Sequence, residues 1–392
     1  MATAIEGFAA LLTVAGMAYM MLALLGARSF VASVRRTSGV AEFAPPVSIL
    51  KPLKGVDPRL YAGLASHCRQ VYAAPFELVF GVHSLDDPAV AEVQRLRDEF
   101  SGIAIKLIEC PQRLGTSGKV SNLVQMLPHA SSEHVIINDS DIFVSPAYLT
   151  GVMRCFRTEA EKKPVGMVTA PYLGRTGAGG RGTTMWARLE ALGISTDFMP
   201  GVLTARMLEG GIHFGLGSTL AMTRTALTAA GGLEPLVEYL ADDYEMGKRI
   251  ATAGFRVELC GEVVETTVPG YGIKGFWDHQ MRWARSTRDS RKAGYVGLGL
   301  TYCVPWALLT VVASGGALWS FTLLTMAILA RVSVALTVGA GLLRDEQVLR
   351  DLWLFPVRDI LGLLVWLWSF ADDTVVWRGE TFSLRDGRIT RV

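Results

Sequence analysis

Four clusters in this 392-residue chain carry side chains able to do chemistry, and three of them are acidic. Asp86-Asp87-Pro88 follows the strand-like run Leu78-Val79-Phe80-Gly81-Val82. Asp before Pro is an ordinary helix start signal; the functional alternative has Asp87 accepting hydrogen bonds from the uracil or ribose of a nucleotide. Asp139-Ser140-Asp141 closes the run Val135-Ile136-Ile137-Asn138. Carboxylates two residues apart in extended chain point to similar sides and offer hard oxygen ligands to Mg²⁺ or Mn²⁺, which then bridges a diphosphate. A D-x-D alone is weak, but directly after a buried-type strand it is moderately specific. Leu240-Ala241-Asp242-Asp243-Tyr244-Glu245 opens a helical stretch. Adjacent acids there either compensate the helix dipole, or one of them, Asp243, is a general base that deprotonates an acceptor hydroxyl.

The fourth cluster is Trp277-Asp278-His279-Gln280-Met281-Arg282-Trp283-Ala284-Arg285. It reads as interfacial anchoring or as a diphosphate clamp, with Arg282 as the fork donor and Trp283 walling the acceptor entrance. Arg288, Arg291 and Lys292 look like flank residues that meet anionic headgroups. Two glycine-rich stretches add less. Arg113-Leu114-Gly115-Thr116-Ser117-Gly118-Lys119 lacks P-loop spacing, so phosphoryl transfer from ATP is not supported, although Lys119 and Asn122 can reach donor phosphates. Residues 210–218 are too glycine-dense for a helix or strand interior, which fits close backbone approach to a substrate or a plain loop.

The elements that must position these residues alternate. Residues 47–50, 77–82, 103–108 and 135–137 are short runs rich in β-branched residues, and 58–69 and 88–100 between them carry helical periodicity. Alternation of this kind predicts βαβ units and a parallel sheet, with ligands at the carboxyl ends of the strands. The acidic clusters fall there.

Composition bounds the rest. Half the residues are hydrophobic and 19% are charged, an apolar surplus whose distribution points to membrane segments. A formal net charge of +2 gives no global field for nucleic acid. Cys68, Cys110, Cys155, Cys260 and Cys303 are scattered without metal-ligand spacing and read as free thiols. Residues 7–27 hold no charge, with Glu6 before them and Arg28, Arg35 and Arg36 after, which predicts an uncleaved anchor with its downstream side in the cytoplasm. Residues 298–343 carry one charge, Arg331, and a Gly315-Gly316 break, which predicts two transmembrane helices joined by a tight turn. Residues 352–371 are apolar but contain Arg358 and Asp359, so a re-entrant or interfacial helix pair competes with a simple span. A tail carrying Arg378 to Arg391 is expected to stay inside. The expected organisation is therefore an anchor over residues 1–30, a cytoplasmic catalytic domain over 45–295, a transmembrane pair over 297–343, a further membrane or re-entrant segment over 352–371, and a tail over 372–392.

In this order, Lys51-Pro52-Leu53-Lys54-Gly55-Val56-Asp57-Pro58, Asp86-Asp87-Pro88-Ala89, Asp139-Ser140-Asp141, Ala241-Asp242-Asp243-Tyr244 and Arg282-Trp283 resemble the ceramide glucosyltransferase family, from about residue 47 to 285. The resemblance implies a GT-A fold, a Rossmann-like nucleotide-sugar-binding α/β domain, attached to α-helical transmembrane segments. It implies that Asp87 binds the UDP moiety, that Asp139 and Asp141 hold Mg²⁺ or Mn²⁺ and the diphosphate, and that Asp243 is the base of an inverting transfer. Arg282 and Trp283 would close over diphosphate and acceptor, with Lys51, Lys119 and Asn122 on the donor side. His279 departs from the Gln/Arg that opens the family's x-x-Arg-Trp signature; imidazole still donates to phosphate, with a charge that varies near neutral pH.

The implied partners are a UDP-sugar, a lipid acceptor and the bilayer, with no nucleic acid. The expected acceptor is ceramide and the expected sugar glucose. The alternative is N-acetylglucosamine transfer to a hopanoid polyol, since bacterial relatives resemble hopanoid-associated glycosyltransferases. The expected location is a bacterial inner membrane, with several crossings. A polysaccharide synthase would share the catalytic residues but needs more transmembrane helices for a polymer channel.

Overall fold

The computed structural model describes residues 2–38, 43–57, 59–157, 163–177, 183–377 and 379–392; Pro58 and Arg378, named above, lie outside them. The central sheet has seven strands: β1 (Val47–Pro52), β2 (Phe76–Val82), β3 (Ala104–Glu109), β4 (His134–Ile137), β5 (Val165–Thr169), β7 (Leu220–Thr223) and β8 (Arg256–Leu259). Its order is β3-β2-β1-β4-β7-β5-β8. Strands β1 to β4 pair in parallel, and β7 runs antiparallel to both neighbours. The strands of the parallel half are nearly continuous apolar runs because helices cover both faces. Those helices include α2 (Leu60–Cys68), α3 (Ala89–Glu99), α4 (Gly118–Met126) and α5 (Tyr148–Arg154). This is the Rossmann-like arrangement expected of a GT-A domain.

Chain order explains the site. Strands β2 and β3 build outward on one side of β1, then β4 returns to its other side, a reversal that opens a crevice at the carboxyl ends of β1 and β4. Lys51 ends β1 and Asp139 follows β4. Because β7 is antiparallel, its first residue, Leu220, faces Ile137, so the glycine-rich stretch before it enters the same crevice.

A two-stranded parallel pair, β6 (Tyr172–Thr176) and β9 (Val264–Val268), lies alongside. Helices α6 (Met185–Gly193) and α7 (Met199–Leu208) are joined without a break by a turn of π-helix at Ile194–Phe198. Next come α8 (Arg224–Ala229), α9 (Asp242–Thr252) and the amphipathic α10 (Ile273–Ser290).

Among the described residues, two helices are long and apolar enough to cross a membrane, Thr3–Thr37 within α1 (Ala2–Ser38) and Leu318–Leu342. The second is α13 (Leu318–Val334) continued by a π-helical stretch to Leu342. The expected partner of that span is shorter than the sequence suggests. Helix α12 (Cys303–Ala313) has 11 residues, and it makes a span only together with Lys292–Thr301, which contains α11 (Lys292–Leu298) and meets it at a 52° bend. Gly297 and Gly299 precede the bend and Pro305 sits in the first turn of α12, a composition that breaks a ladder. The turn to α13 does fall at Gly315 and Gly316, with φ of 67° and 79°. Helix α1 packs through small residues on both this group and α7: a Cβ on Gly16 would lie 2.7 Å from that of Cys303, and one on Gly26 2.8 Å from the Leu203 carbonyl of α7.

Residues 352–371 hold α15 (Phe355–Trp368), whose 14 residues extend about 21 Å, less than a bilayer core. Short α14 (Glu346–Asp351) precedes it. The expected tail is instead folded into an antiparallel sheet, β10 (Thr374–Trp377), β11 (Glu380–Arg385) and β12 (Arg388–Arg391). Val375, Phe382, Leu384 and Ile389 form its apolar face and bury Leu240 with them.

Candidate active site

Three acidic residues converge at the β1/β4 crevice. Lys119, at the start of α4, bridges Asp139 (2.9 Å) and Asp242 (3.1 Å). Burial alone would lower its pKa, but Asp139, Asp242 and Asp243 outweigh that and hold the ammonium charged. On the other side stands Gly217. A Cβ there would lie 3.0 Å from Asp243 Oδ2 and 3.4 Å from Asp139 Oδ2, so both carboxylates face its bare backbone. Only glycine leaves that space open. The loop is pinned by Asn138, whose buried amide donates to the Ser218 carbonyl (2.6 Å) and to Tyr148 (3.1 Å) and Thr219 (3.2 Å). Of the two readings of residues 210–218, close backbone approach to the site is the one observed for Gly217.

Asp243 lies in the first turn of α9 and accepts a hydrogen bond from the Tyr244 amide at 2.8 Å. Burial, then the neighbouring Asp242, push its carboxyl up to about 6, against the pull of Lys119. A carboxylate in that range is ionised at neutral pH yet basic enough to take a proton. Asp141 has one oxygen occupied by Thr266 Oγ1 (2.5 Å) and the Thr267 amide (3.2 Å) of β9. Burial and the charge of Asp139 raise its pKa. Beneath them Lys51 is fully buried and donates to the Asp139 carbonyl at 2.9 Å, 3.4 Å from His67 Nε2. Burial brings its ammonium down to about 7, opposed by Asp141 and Asp139.

Helix α10 brings the remaining residues. Arg282 makes no side-chain hydrogen bond or ion pair among the described residues, and its guanidinium senses Glu190, Asp139 and Asp243. A half-buried, unpaired Arg near three acids is a ready anion ligand. His279 Nδ1 lies 2.9 Å from Glu190, a carboxylate of α6 that is 2% exposed, and its ring is tilted against that of Trp283, with centroids 4.6 Å apart. Burial would raise the pKa of Glu190, but His279, Tyr271 and Gln280 hold it below the usual carboxylate range. Trp283 packs on Ala187, Ala191, Ile194 and Val268 beside Tyr172.

Asp87 is more committed than the sequence implies. Its carboxylate accepts from the Gly55 amide (2.9 and 3.1 Å) and the Ala89 amide (2.9 Å), so it caps α3 and ties down the loop after β1, where Gly55 has φ of 69°. Asn122 is buried on α4, one turn beyond Lys119, and its carbonyl accepts from Cys110 Sγ at 3.7 Å. Neither joins the carboxylate cluster through a protein contact.

Sequence reasoning missed Glu190, Asp242 as a partner of Lys119, and Thr266. The signal for Glu190 was a lone acid inside Leu189-Glu190-Ala191-Leu192, an acid that helix packing buries. The strand-bracing role of residues 374–391 was also missed. The Leu240 amide donates to the Gly387 carbonyl (3.0 Å), the Ile389 amide to the Glu238 carbonyl (2.8 Å), and on α10 Arg285 and Asp289 bond Thr374 and Gly387. The start of α9 and helix α10 are thus fastened to one small sheet.

No group of three or more His, Cys, Asp or Glu residues among the described ones could hold a metal alone. Two carboxylates, each with an oxygen not taken by a neutral donor, suit Mg²⁺ or Mn²⁺, which draws the rest of its shell from phosphates and water.

The sequence matches the profile of Glycosyl transferase family 21 over residues 8–390. It is 28% identical over 243 residues to ceramide glucosyltransferase 1 of Caenorhabditis elegans, an overlap of 62% of this chain and 49% of that protein. Ceramide glucosyltransferase 3 of the same organism is 26% identical over 243 residues, covering 62% and 50%. The chain thus spans about half the length of the curated relatives it matches. Among solved structures, a mannosyltransferase from Pyrobaculum calidifontis in complex with GDP-Man and Mn²⁺ superimposes with a TM-score of 0.48 at 18% identity, over 92% of this chain and 98% of that one.

Proposed function

The chain belongs to glycosyl transferase family 21, and we propose that it transfers a sugar, glucose by preference, from a UDP-sugar to a lipid hydroxyl with inversion at the anomeric carbon. The observation that carries this reading is the pair Asp243 and Asp139 facing one open glycine at the strand-end crevice, with unpaired Arg282 close by. The acceptor hydroxyl oxygen attacks the anomeric carbon from the face opposite UDP, Asp243 takes its proton, and the bond to the diphosphate oxygen breaks as UDP leaves with the electron pair. Arg282 and Lys119 meet the charge that builds on the diphosphate, and His279, oriented by Glu190, donates to it. Trp283 walls the acceptor side. Asp87 supports the nucleotide end by fixing the loop after β1, and Lys51 by holding the Asp139 backbone after β4, with Asn122 behind Lys119.

Asp139 and Asp141 are the residues that would hold Mg²⁺ or Mn²⁺, which when bound supplies positive charge to the departing diphosphate. The arginines toward the end of α1 and around α10 support a cytoplasmic catalytic domain on a multi-pass protein, which we place in a bacterial inner membrane. Ceramide is the favoured acceptor, supported by the relatives' names.

Purified protein incubated with a divalent cation, a panel of UDP-sugars and either ceramide or a hopanoid polyol tests this directly. Glycosylated ceramide is the expected product. Product from the hopanoid alone moves the acceptor and keeps the mechanism, and UDP formation with neither lipid removes lipid transfer. A second expectation concerns Asp139→Asn. UDP-sugar affinity should drop by about tenfold or more, the scale of one charge-assisted contact, and respond less to the cation. Unchanged donor affinity would remove Asp139 from the diphosphate site.

A further inference from the structure

Where α6 passes into α7 the π-helical turn Ile194–Phe198 presents Asp197 to a cluster of charges at the level of the membrane helices. Turns of this kind interrupt a helix at some stability cost and are frequent at functional sites. Arg331 of α13, 1% exposed, donates to both oxygens of Asp359 of α15, 4% exposed, each at 3.0 Å. It also donates to the Thr196 carbonyl at 2.8 Å and pairs with Asp197. Arg358 donates to the second oxygen of Asp197 at 2.9 Å and to Gln280 at 2.9 Å. Two guanidinium groups and two carboxylates make the cluster neutral; Arg331 and Asp359 are buried, and the side chain of Arg358 is 12% exposed.

Asp197 is the most open of the four, its side chain 30% exposed. A carboxylate offers about four acceptor positions, of which the two arginines take two and Thr196 Oγ1, at 3.5 Å, a third. Its partner Arg331 belongs to the apolar helix Leu318–Leu342, beside which a lipid would pack, so a donor carried by a lipid suits the remaining position. The site also lies next to the chemistry. The neighbouring Phe198 ring is 5.4 Å from that of Tyr172, which sits against Trp283 and senses the charges of Asp243, Glu190, Asp139 and Asp141. Gln280, which accepts from Arg358, donates in turn to Glu190 at 3.1 Å, and Glu190 holds His279.

We infer that Asp197 is the headgroup subsite for the acceptor, accepting a hydrogen bond from a neutral lipid alcohol that carries a second donor, an amide N–H or hydroxyl, beside the hydroxyl to be glycosylated. This rests on the lipid-transfer reading above. An anionic phosphate headgroup would meet a carboxylate there and be disfavoured, whereas a lipid alcohol without a second donor would leave Asp197 unsatisfied.

Ceramide and diacylglycerol separate these cases, since both present a primary hydroxyl but only ceramide adds an amide N–H and a second hydroxyl. In mixed detergent micelles the wild-type protein should favour ceramide in kcat/KM by about tenfold or more, the effect of one unmatched hydrogen bond to a charged group. In Asp197→Asn and Asp197→Glu that ratio should collapse toward one, with UDP affinity near wild type as the check on folding. A wild-type protein that uses the two lipids equally overturns the subsite whatever the variants do. So does a variant that binds UDP and keeps the full preference for ceramide. Transfer to no lipid alcohol at all removes the lipid-transfer reading, and the subsite with it.

Discussion

Replacing Asp243 by asparagine should reduce kcat for sugar transfer about 10²- to 10⁴-fold, while UDP binds as before. The substitution keeps the shape at the start of α9 and the acceptor for the Tyr244 amide. What it removes is a basic oxygen facing Gly217. Lys119 keeps Asp139 and Asp242 as partners, so the diphosphate side is spared. The same assignment fixes a pH dependence. With the carboxyl at about 6, kcat/KM for the acceptor should fall as pH drops through that value, because the protonated acid cannot accept the hydroxyl proton. The asparagine variant's residual rate should show no such limb. Turnover within a few-fold of wild type would sink the general-base role.

The second large effect is on stability. Asp359→Ala leaves the guanidinium of Arg331 buried with one carboxylate partner in place of two. Breaking a buried pair from one side typically costs about 3–5 kcal/mol, because the remaining charge keeps its desolvation penalty. Thermal unfolding in detergent should show a loss of that order. A double variant, Arg331→Met with Asp359→Leu, should recover most of it, since apolar side chains of similar volume satisfy the same space. A single substitution that melts with the wild type would mean that water or lipid already solvates Arg331.

The acidic motifs were legible because each follows a strand or opens a helix, positions where local signals and chemistry coincide. Asp139 and Asp243 needed no knowledge of distant partners to be singled out. Asp87 shows the limit of this reading: the helix-start signal and the nucleotide-site expectation point to the same residue, and its protein contacts are those of a cap. Arg331, Arg358 and Asp359 could be recognised as costly in an apolar segment, but their pairing with one another and with Asp197 joins three helical segments and has no sequence signature. The sheet over 374–391 left one. Asp386 and Gly387, with φ of 50° and 79°, form the two-residue turn that joins twisted antiparallel strands, between runs that alternate apolar and polar residues. The density of arginines made those residues look like a solvated tail instead.

That small sheet also has a bearing on timing. Residues 374–391 are translated after α1, α12, α13 and α15, yet they brace the start of α9 and the middle of α10. On the proposed mechanism, a nascent chain already inserted in the bilayer would hold Asp243 and Arg282 without the sheet that fastens α9 and α10. Sugar transfer would wait until the downstream strands had closed over Leu240.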